Sequence, residues 1–157
     1  MDGGMMAAHN PMYWHDGLLI GHSAIDDEHH RFAALIQSLR EAPVERLAQT
    51  LEELLQLARS HFLHEDRLME ATAFPPRKCH IGEHKAVLAS ISAVQARLVR
   101  GEVAVARRLA EELERWFPAH VQHLDSALTH WICKQQVGAK PVVLRRNLEA
   151  RPAAEPA

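Results

Sequence analysis

Two pairs of metal-binding residue types occur in one short stretch of the chain. His61 and Glu65 are four residues apart, and His80 and His84 repeat that spacing after a proline break. Four residues correspond to about 400° of rotation on an α-helix, so both side chains of a pair leave the same face one turn apart. Imidazole and carboxylate groups held in this way suit a borderline cation such as iron, zinc or manganese. The stretch therefore predicts half of a metal site.

Apolar residues recur at steps of three and four around these pairs, which predicts four amphipathic helices and no strand. The first helix ends at Pro43, the second runs from Val44 to Met69, the third follows Pro75 and Pro76 and stops near Gly101, and the fourth runs from Val103 to Gln136. Pro118 should kink the fourth helix because a proline has no backbone N–H to donate. Short connections favour an all-α, up-down-up-down four-helix bundle.

The chain of 157 residues has the length of one domain. Glycine and proline residues mark the boundaries between its segments. We expect an irregular N-terminal arm at residues 1–21, the bundle at 22–136 and a C-terminal tail at 137–157.

Composition argues against several classes of partner. The formal net charge is −2 and there is no basic stripe, so neither nucleic acid nor an anionic membrane surface is an expected partner. No apolar run approaches the roughly 20 residues that span a bilayer. The N-terminus lacks the pattern of a secretory signal, so a cytoplasmic location is expected, with Cys79 and Cys133 as reduced thiols. A protein partner is not indicated.

The topology of the bundle predicts that the polar residues on the buried faces of the four helices lie at the same height along the bundle. The N-terminal ends of helices one and three lie beside the C-terminal ends of helices two and four. Seven side chains fall at that end: His29, His61, Glu65, His80, His84, His120 and Asp125. One such histidine alone would more often be a hydrogen-bonded core residue. Seven unpaired polar groups would cost about 1–3 kcal/mol each, against a domain stability of about 5–15 kcal/mol, and a metal centre resolves that conflict.

Two positions near these residues need separate interpretation. His120 and Asp125 are five apart, about 140° on a regular helix, so they must straddle the seam or lie on a widened turn. His22, seven before His29, is interpreted as a helix-cap or surface residue, with an extra ligand or proton carrier as the alternative. Asp26 is interpreted as a residue of the helix N-terminus.

Four segments of the chain carry a family resemblance. They are Ile25-Asp26-Asp27-Glu28-His29, His61-Phe62-Leu63-His64-Glu65-Asp66-Arg67-Leu68-Met69, His80-Ile81-Gly82-Glu83-His84, and Trp116-Phe117-Pro118-Ala119-His120 with Asp125. In these segments the chain resembles the hemerythrin family, in its bacterial branch, over residues from about 14 to 133.

The resemblance implies a non-haem di-iron centre with an oxo or hydroxo bridge. By it, His80, His84 and His120 hold one iron, His29 and His61 hold the other, and Glu65 and Asp125 bridge both. The second iron then has an open position for O2.

The sequence departs from the family pattern at three positions. Glu28 replaces a frequent glutamine, Asp66 replaces a common glutamate, and Pro118 interrupts the ligand helix.

The charge of such a centre fits an apolar pocket. Two carboxylates and one hydroxide reduce the four positive charges of two ferrous ions to one, and five neutral imidazoles add none. The candidates for the lining of the pocket are Phe32, Phe62, Trp116 and Phe117. No motif places a spare acid or base there, so reversible O2 binding is favoured over oxygenation.

We therefore expect an oxygen-binding protein that carries, stores or senses O2, and not an enzyme. The alternative is a di-iron enzyme acting on peroxide or nitric oxide. A ferritin-like oxidase is disfavoured because its Glu-x-x-His spacing is absent from the inward faces. A zinc hydrolase is disfavoured because the histidine set is too large for one zinc ion with an open site.

Overall fold

Five α-helices form the four columns of one bundle in the computed structural model, which describes residues 14–145. The helices are α1 (Ser23–Glu41), α2 (Val44–Ala71), α3 (Arg77–Val99), α4 (Val103–His120) and α5 (Ser126–Val137). A π-helical segment, Val121–Asp125, joins α4 to α5 and makes them one column. No strand occurs within residues 14–145. The all-α prediction is confirmed.

The columns pack in a ring: each contacts the next in sequence, and α4 closes the ring against α1. The connections between successive columns are short, so neighbouring columns run in opposite directions. The predicted up-down-up-down bundle is confirmed.

The apolar seams read from the sequence form the core. Ile25, Phe32, Ile36 and Leu39 of α1 are fully buried, and so are Leu47, Leu51, Leu54 and Ala58 of α2. Burial of each leucine or isoleucine contributes about 1.5–3 kcal/mol. The half of the core next to the α1–α2 connection is mainly aliphatic, whereas the opposite half contains all the buried histidines.

The aliphatic end is closed by a side chain of α4. The Arg107 guanidinium donates to the carbonyl oxygens of Leu39 at 2.9 Å and Arg40 at 2.8 Å, and it also bonds the carbonyl of Ala42. These carbonyls belong to the last turn and C-cap of α1, which have no helical donors of their own. Arg107 thus fixes the end of α1 against α4.

Prolines and glycine mark the helix ends. Pro43 and Pro76 occupy the N-cap positions of α2 and α3. Gly101 follows α3 with a φ of +85°, a left-handed conformation that glycine adopts at little cost. The helix boundaries predicted from these residues agree with the structure to within two or three residues.

The fourth column, which the sequence predicted as one helix kinked at Pro118, is interrupted by a π-helical segment. Pro118 lies inside α4, where it has no N–H to donate to the carbonyl of Glu114. Three residues later the backbone widens, and the Ser126 N–H donates to the carbonyl of Val121, five residues back. That bond defines a π turn.

The described part of the N-terminal arm lies against the tail. A 3-10 turn at Asp16–Leu18 precedes α1, and the Asp26 carboxylate accepts from the backbone N–H groups of Ile20 and Gly21 at 2.9 and 3.1 Å. From the tail, the Arg145 guanidinium donates to the Leu19 carbonyl at 3.4 Å. Predictions for residues 1–13 and 146–157 lie outside the described residues.

Among the helices of residues 14–145, none has both the length and the apolar character that a membrane crossing requires.

Candidate metal centre

The seven candidate ligands lie together at one end of the bundle. They comprise His29 of α1, His61 and Glu65 of α2, His80 and His84 of α3, His120 at the end of α4, and Asp125 at the end of the π segment. None of the seven exposes more than 3% of its surface. All four columns therefore contribute to one buried polar cluster.

Glu65 turns one oxygen toward each of two sets of histidines. Its Oε1 lies 3.5 Å from His61 Nε2 and 3.8 Å from His29 Nε2. Its Oε2 lies 3.2 Å from His84 Nε2 and 3.6 Å from His80 Nε2. The carboxylate stands between the two sets.

Asp125 divides its oxygens in the same way from the opposite side. Its Oδ2 lies 3.0 Å from His29 Nε2. Its Oδ1 lies 2.9 Å from His80 Nε2 and 3.1 Å from His120 Nε2. Two overlapping donor groups result, one of Glu65, His80, His84, His120 and Asp125, the other of His29, His61, Glu65 and Asp125.

This donor set fits a pair of metal ions. Donor atoms about 2.1 Å from a shared ion in an octahedral arrangement lie about 3.0 Å from one another, close to most of the contacts above. Within residues 14–145, both nitrogens of His29 and His80 and all four oxygens of Glu65 and Asp125 are buried without a hydrogen-bond partner. Such atoms are costly unless a cation engages them. The cluster therefore has the donor composition and the burial of a metal site.

The electrostatics of the cluster require positive charge. Burial raises the pKa of Glu65 and so does the Asp125 charge, but the imidazoles of His80 and His84 outweigh both and lower it to about 2. Burial likewise raises the pKa of Asp125, and nearby histidines lower it well below its usual value. Burial lowers the pKa of His80, yet contacts with Asp125 and Glu65 raise it to about 9. In the protein alone, a proton on His80 therefore offsets part of the carboxylate charge.

The π turn explains how Asp125 reaches the cluster. On a regular helix it would be rotated by about 140° from His120. The extra residue of a π turn brings positions five apart close to the same face. His120 and Asp125 consequently meet, with Nε2 and Oδ1 3.1 Å apart. This agrees with the widened turn that the sequence left as one of two possibilities.

Aromatic rings surround the cluster on the side of the aliphatic core. Phe32 stacks on Phe117 with ring centroids 5.0 Å apart and also lies within 6.5 Å of Phe62 and Trp116. Phe117 makes an edge contact with His29 at 5.5 Å. The three phenylalanines are buried and Trp116 is partly buried. The four rings form an apolar wall beside the metal site.

Three further carboxylates bond the outward nitrogens of candidate ligands. Each Nδ1 faces one carboxylate oxygen: His61 with Glu28 at 2.6 Å, His84 with Asp66 at 2.8 Å, and His120 with Glu83 at 2.7 Å. This role was not expected from the sequence, although each of the three directly adjoins a candidate ligand in the chain. Neighbours on a helix differ by about 100°, so such a residue flanks the seam and faces the next helix. Their position next to a candidate ligand was the feature of the sequence from which this role could have been predicted.

The other histidines of residues 14–145 lie outside the cluster. His22 is the N-cap of α1, and its Nδ1 accepts from the Ile25 N–H at 3.4 Å, which supports its interpretation as a cap. His64 contacts Glu28, and its ring is 6.3 Å from that of His22. His30 stacks on Trp14 at 5.0 Å. His123 and His130 are exposed.

Fold and site together define a class. It is the class of four-helix-bundle proteins in which side chains from every column converge on a two-ion metal site at one end of the bundle.

Comparison with known proteins narrows this class to a family. The family model described as the hemerythrin HHE cation binding domain matches residues 21–132. A bacteriohemerythrin from Ralstonia nicotianae is 34% identical over 127 residues, 81% of this chain and 93% of that protein. A bacteriohemerythrin from Pseudomonas aeruginosa is 29% identical over 119 residues, 73% of this chain and 77% of that protein. A myohemerythrin from Riftia pachyptila is 26% identical over 116 residues, 74% and 89% respectively. The chain belongs to the hemerythrin family.

Proposed function

We propose that this protein holds two iron ions in the metal site and binds O2 reversibly at one of them. The observation that carries the proposal is the way in which Glu65 and Asp125 each present one oxygen to either set of histidines. A carboxylate in that position can join two ions. Imidazole and carboxylate donors suit iron, and the relatives are hemerythrins by name.

The proposed assignment follows the two donor groups. His80, His84 and His120 would hold one iron, His29 and His61 would hold the other, and Glu65 and Asp125 would serve both. The protein offers five donors to the first ion and four to the second. The second ion, with fewer protein donors, would be the one with a position that could accept a small ligand.

When bound, the iron pair supplies one electron from each ion to O2. The protein's contribution is the surroundings of that position. Phe117 approaches His29 at 5.5 Å, and Phe32 stacks on it from the aliphatic side. These rings exclude water and have no proton to give. A ligand beside them is protected from protonation, which favours its release unchanged.

The physiological use of O2 would be carriage, storage or sensing. The chain division into an arm at 1–21, a bundle at 22–136 and a tail at 137–157 is part of the same proposal, supported by α1 starting at Ser23 and α5 ending at Val137.

Iron content is the first test. After anaerobic ferrous loading of the full chain, metal analysis should find two irons per chain. A single tightly bound zinc and no iron pair would refute the assignment.

Reversibility is the second test, with the ferrous protein exposed to O2. A visible absorption band should appear, and degassing should remove it over several cycles without added reductant. Oxidation at the first exposure, with release of hydrogen peroxide or water, would instead favour a di-iron enzyme acting on peroxide or nitric oxide.

Trp116→Ala tests the aromatic wall. It should shorten the lifetime of the oxygenated form by admitting water while the iron content stays unchanged. Trp131→Ala is the matched control, because Trp131 belongs to a separate cluster with Phe74 and donates to the Thr72 carbonyl at 3.0 Å. An equal loss of lifetime in both variants would contradict a role for the wall.

A further inference from the structure

The three carboxylates that face the outward nitrogens follow one rule. Each adjoins a candidate ligand on its own helix and reaches a histidine on the next helix. Glu28 of α1 contacts His61 of α2, Asp66 of α2 contacts His84 of α3, and Glu83 of α3 contacts His120 of α4. We call Glu28, Asp66 and Glu83 the outer carboxylates.

The outer carboxylates serve only some of the histidines. The Nδ1 atoms of His29 and His80 are buried with no hydrogen-bond partner in residues 14–145. The carboxylates themselves are partly exposed, from 23% of the side chain at Glu28 to 46% at Glu83. Packing does not force charged groups into these places, since each could turn toward water. Their short contacts with three imidazoles indicate a specific role.

From this arrangement we infer that the outer carboxylates lower the reduction potential of the centre and so favour its oxidised form. Two effects act in the same direction. A carboxylate that accepts the Nδ1 proton makes the imidazole a stronger donor to a metal at Nε2. Three added negative charges also stabilise a centre whose positive charge rises on oxidation. The inference rests on the proposed iron pair and extends it, because all three residues act through histidines.

Glu28 has a distinct position among the three. Its Oε2 lies 2.6 Å from His61 Nδ1 and 3.3 Å from His64 Nδ1, and it is the least exposed of the outer carboxylates. His61 belongs to the donor group with the open position, whereas Asp66 and Glu83 act on the other group. The charge of Glu28 should therefore weaken the binding of an anion at the open position more than the other two do.

The test removes charge and keeps the hydrogen bond. In Glu28→Gln, Asp66→Asn and Glu83→Gln an amide oxygen still accepts the Nδ1 proton, so the tautomer and the ring orientation are retained. Spectroelectrochemistry on the iron-loaded full chain should show the equilibrium moving roughly tenfold toward the reduced form in each variant, which is about 59 mV for a one-electron step.

Two exposed neighbours provide matched controls. Asp27→Asn lies next to Glu28, and Glu70→Gln lies one turn beyond Asp66 on the same helix. Each makes the same change of charge in water, where screening reduces its effect on a buried centre. Both should leave the potential close to that of the wild type.

Azide affinity gives an independent measurement on the oxidised protein. Glu28→Gln should bind azide more tightly than the wild type, and more tightly than Asp66→Asn does. Equal azide affinity in these two variants would overturn the specific role of Glu28.

The outcomes separate this inference from the proposed function. A wild-type chain that takes up no iron pair overturns both. Variants that hold two irons but shift the potential no more than the controls overturn the inference alone. Loss of iron from all three variants also overturns it, because the outer carboxylates would then retain the metal instead of tuning it.

Discussion

Glu65 and Asp125 are buried charges that this fold can keep only with compensating cations. Neither side chain exposes any surface, and each oxygen faces at least one histidine nitrogen. An isolated buried carboxylate would cost far more than a domain's margin of stability. For each of these two residues, the negative charge of the buried carboxylate must therefore be balanced by positive charge nearby.

Glu65→Gln should abolish the proposed bridge between two ions while keeping the shape of the side chain. A neutral amide cannot balance two ions, so iron affinity should fall by more than roughly 100-fold, beyond the effect usual for residues that only support ligands. The thermal stability of the iron-loaded protein should fall with it. Metal analysis and thermal unfolding measure both effects, with exposed Glu53→Gln on the same helix as the control. Retention of two irons and an unchanged O2 spectrum would show that Glu65 is not the bridge.

Metal uptake should release protons and strengthen as pH rises. Contacts with Asp125 and Glu65 raise the pKa of His80 from 6.5 to about 9 in the protein alone, despite burial. That protonation stabilises the metal-free fold fully below about pH 6.5, and the contribution is lost as pH rises through 9. A metal ion must displace the proton, so apparent affinity should grow up to about tenfold per pH unit across this window for each proton released. Anaerobic titration calorimetry in buffers of different ionisation enthalpy counts the protons, and an affinity independent of pH would contradict the prediction.

The fourth column is the element in which local geometry departs from a regular helix. Val121–Asp125 forms a π turn, and it begins three residues after Pro118. A π turn accommodates one residue more than an α turn does. It sets the rotation of Asp125 and keeps Leu128 and Ile132 of α5 in the core.

Deletion of Gln122 should therefore be tolerated. The exposed Gln122 lies inside the π turn, and its removal would leave His120 and Asp125 four apart, still on one face of an α-helix. Deletion of the exposed Glu112 in the regular part of α4 should rotate both of them by about 100° and abolish iron binding. Iron content and circular dichroism of the two variants test this difference. Equal damage by both deletions would refute it.

The fourth column also shows which features of the structure could be predicted from the sequence. Residues spaced three and four apart, such as Ile25, His29 and Phe32, predicted the buried faces because a regular helix converts spacing directly into direction. Between His120 and Asp125 the spacing does not determine the direction of the side chains. Five residues are equally compatible with a π turn and with a regular helix whose two side chains lie on either side of the buried face. The hydrogen bond from Ser126 to Val121 distinguishes the two, and it depends on how the column packs.

The role of the outer carboxylates could not be predicted from the sequence, for a different reason. Glu28, Asp66 and Glu83 are partly exposed, and periodicity describes only which residues are buried. Their role depends on contacts between helices, at distances of 2.6–2.8 Å that no spacing along one helix encodes.

For the whole molecule, the arm and the tail meet beside the start of α1. Pro141 and Val143 of the tail lie against Gly21, whose φ is +89°. Arg145 adds a contact with the arm at the Leu19 carbonyl. The two ends of the described chain therefore cover one region of the bundle together.

Gly21→Ala should report on this contact. A Cβ there would lie 2.8 Å from Pro141 Cβ, whereas a Cβ at Gly101, with a similar φ of +85°, would meet nothing within 4 Å. Both substitutions carry the cost of a positive φ, about 1–2 kcal/mol, and Gly21→Ala should add roughly 1 kcal/mol in the free energy of unfolding. In a chain truncated after Lys140 the two costs should become equal. Equal costs in the full chain would show that the tail does not pack on Gly21.

The division of the core into an aliphatic and a polar half has a consequence for the order of folding. The α1–α2 and α3–α4 connections both lie at the aliphatic end, where Arg107 also fixes the last turn of α1. Two helical hairpins of low contact order can therefore form and associate from that end before any ion is present. The polar end, where the α2–α3 connection, the arm and the tail lie, should then be the last region to become ordered and the first to open. Under the proposed function, iron would enter or leave there through local opening, while the aliphatic half remains folded and preserves the register of all four columns.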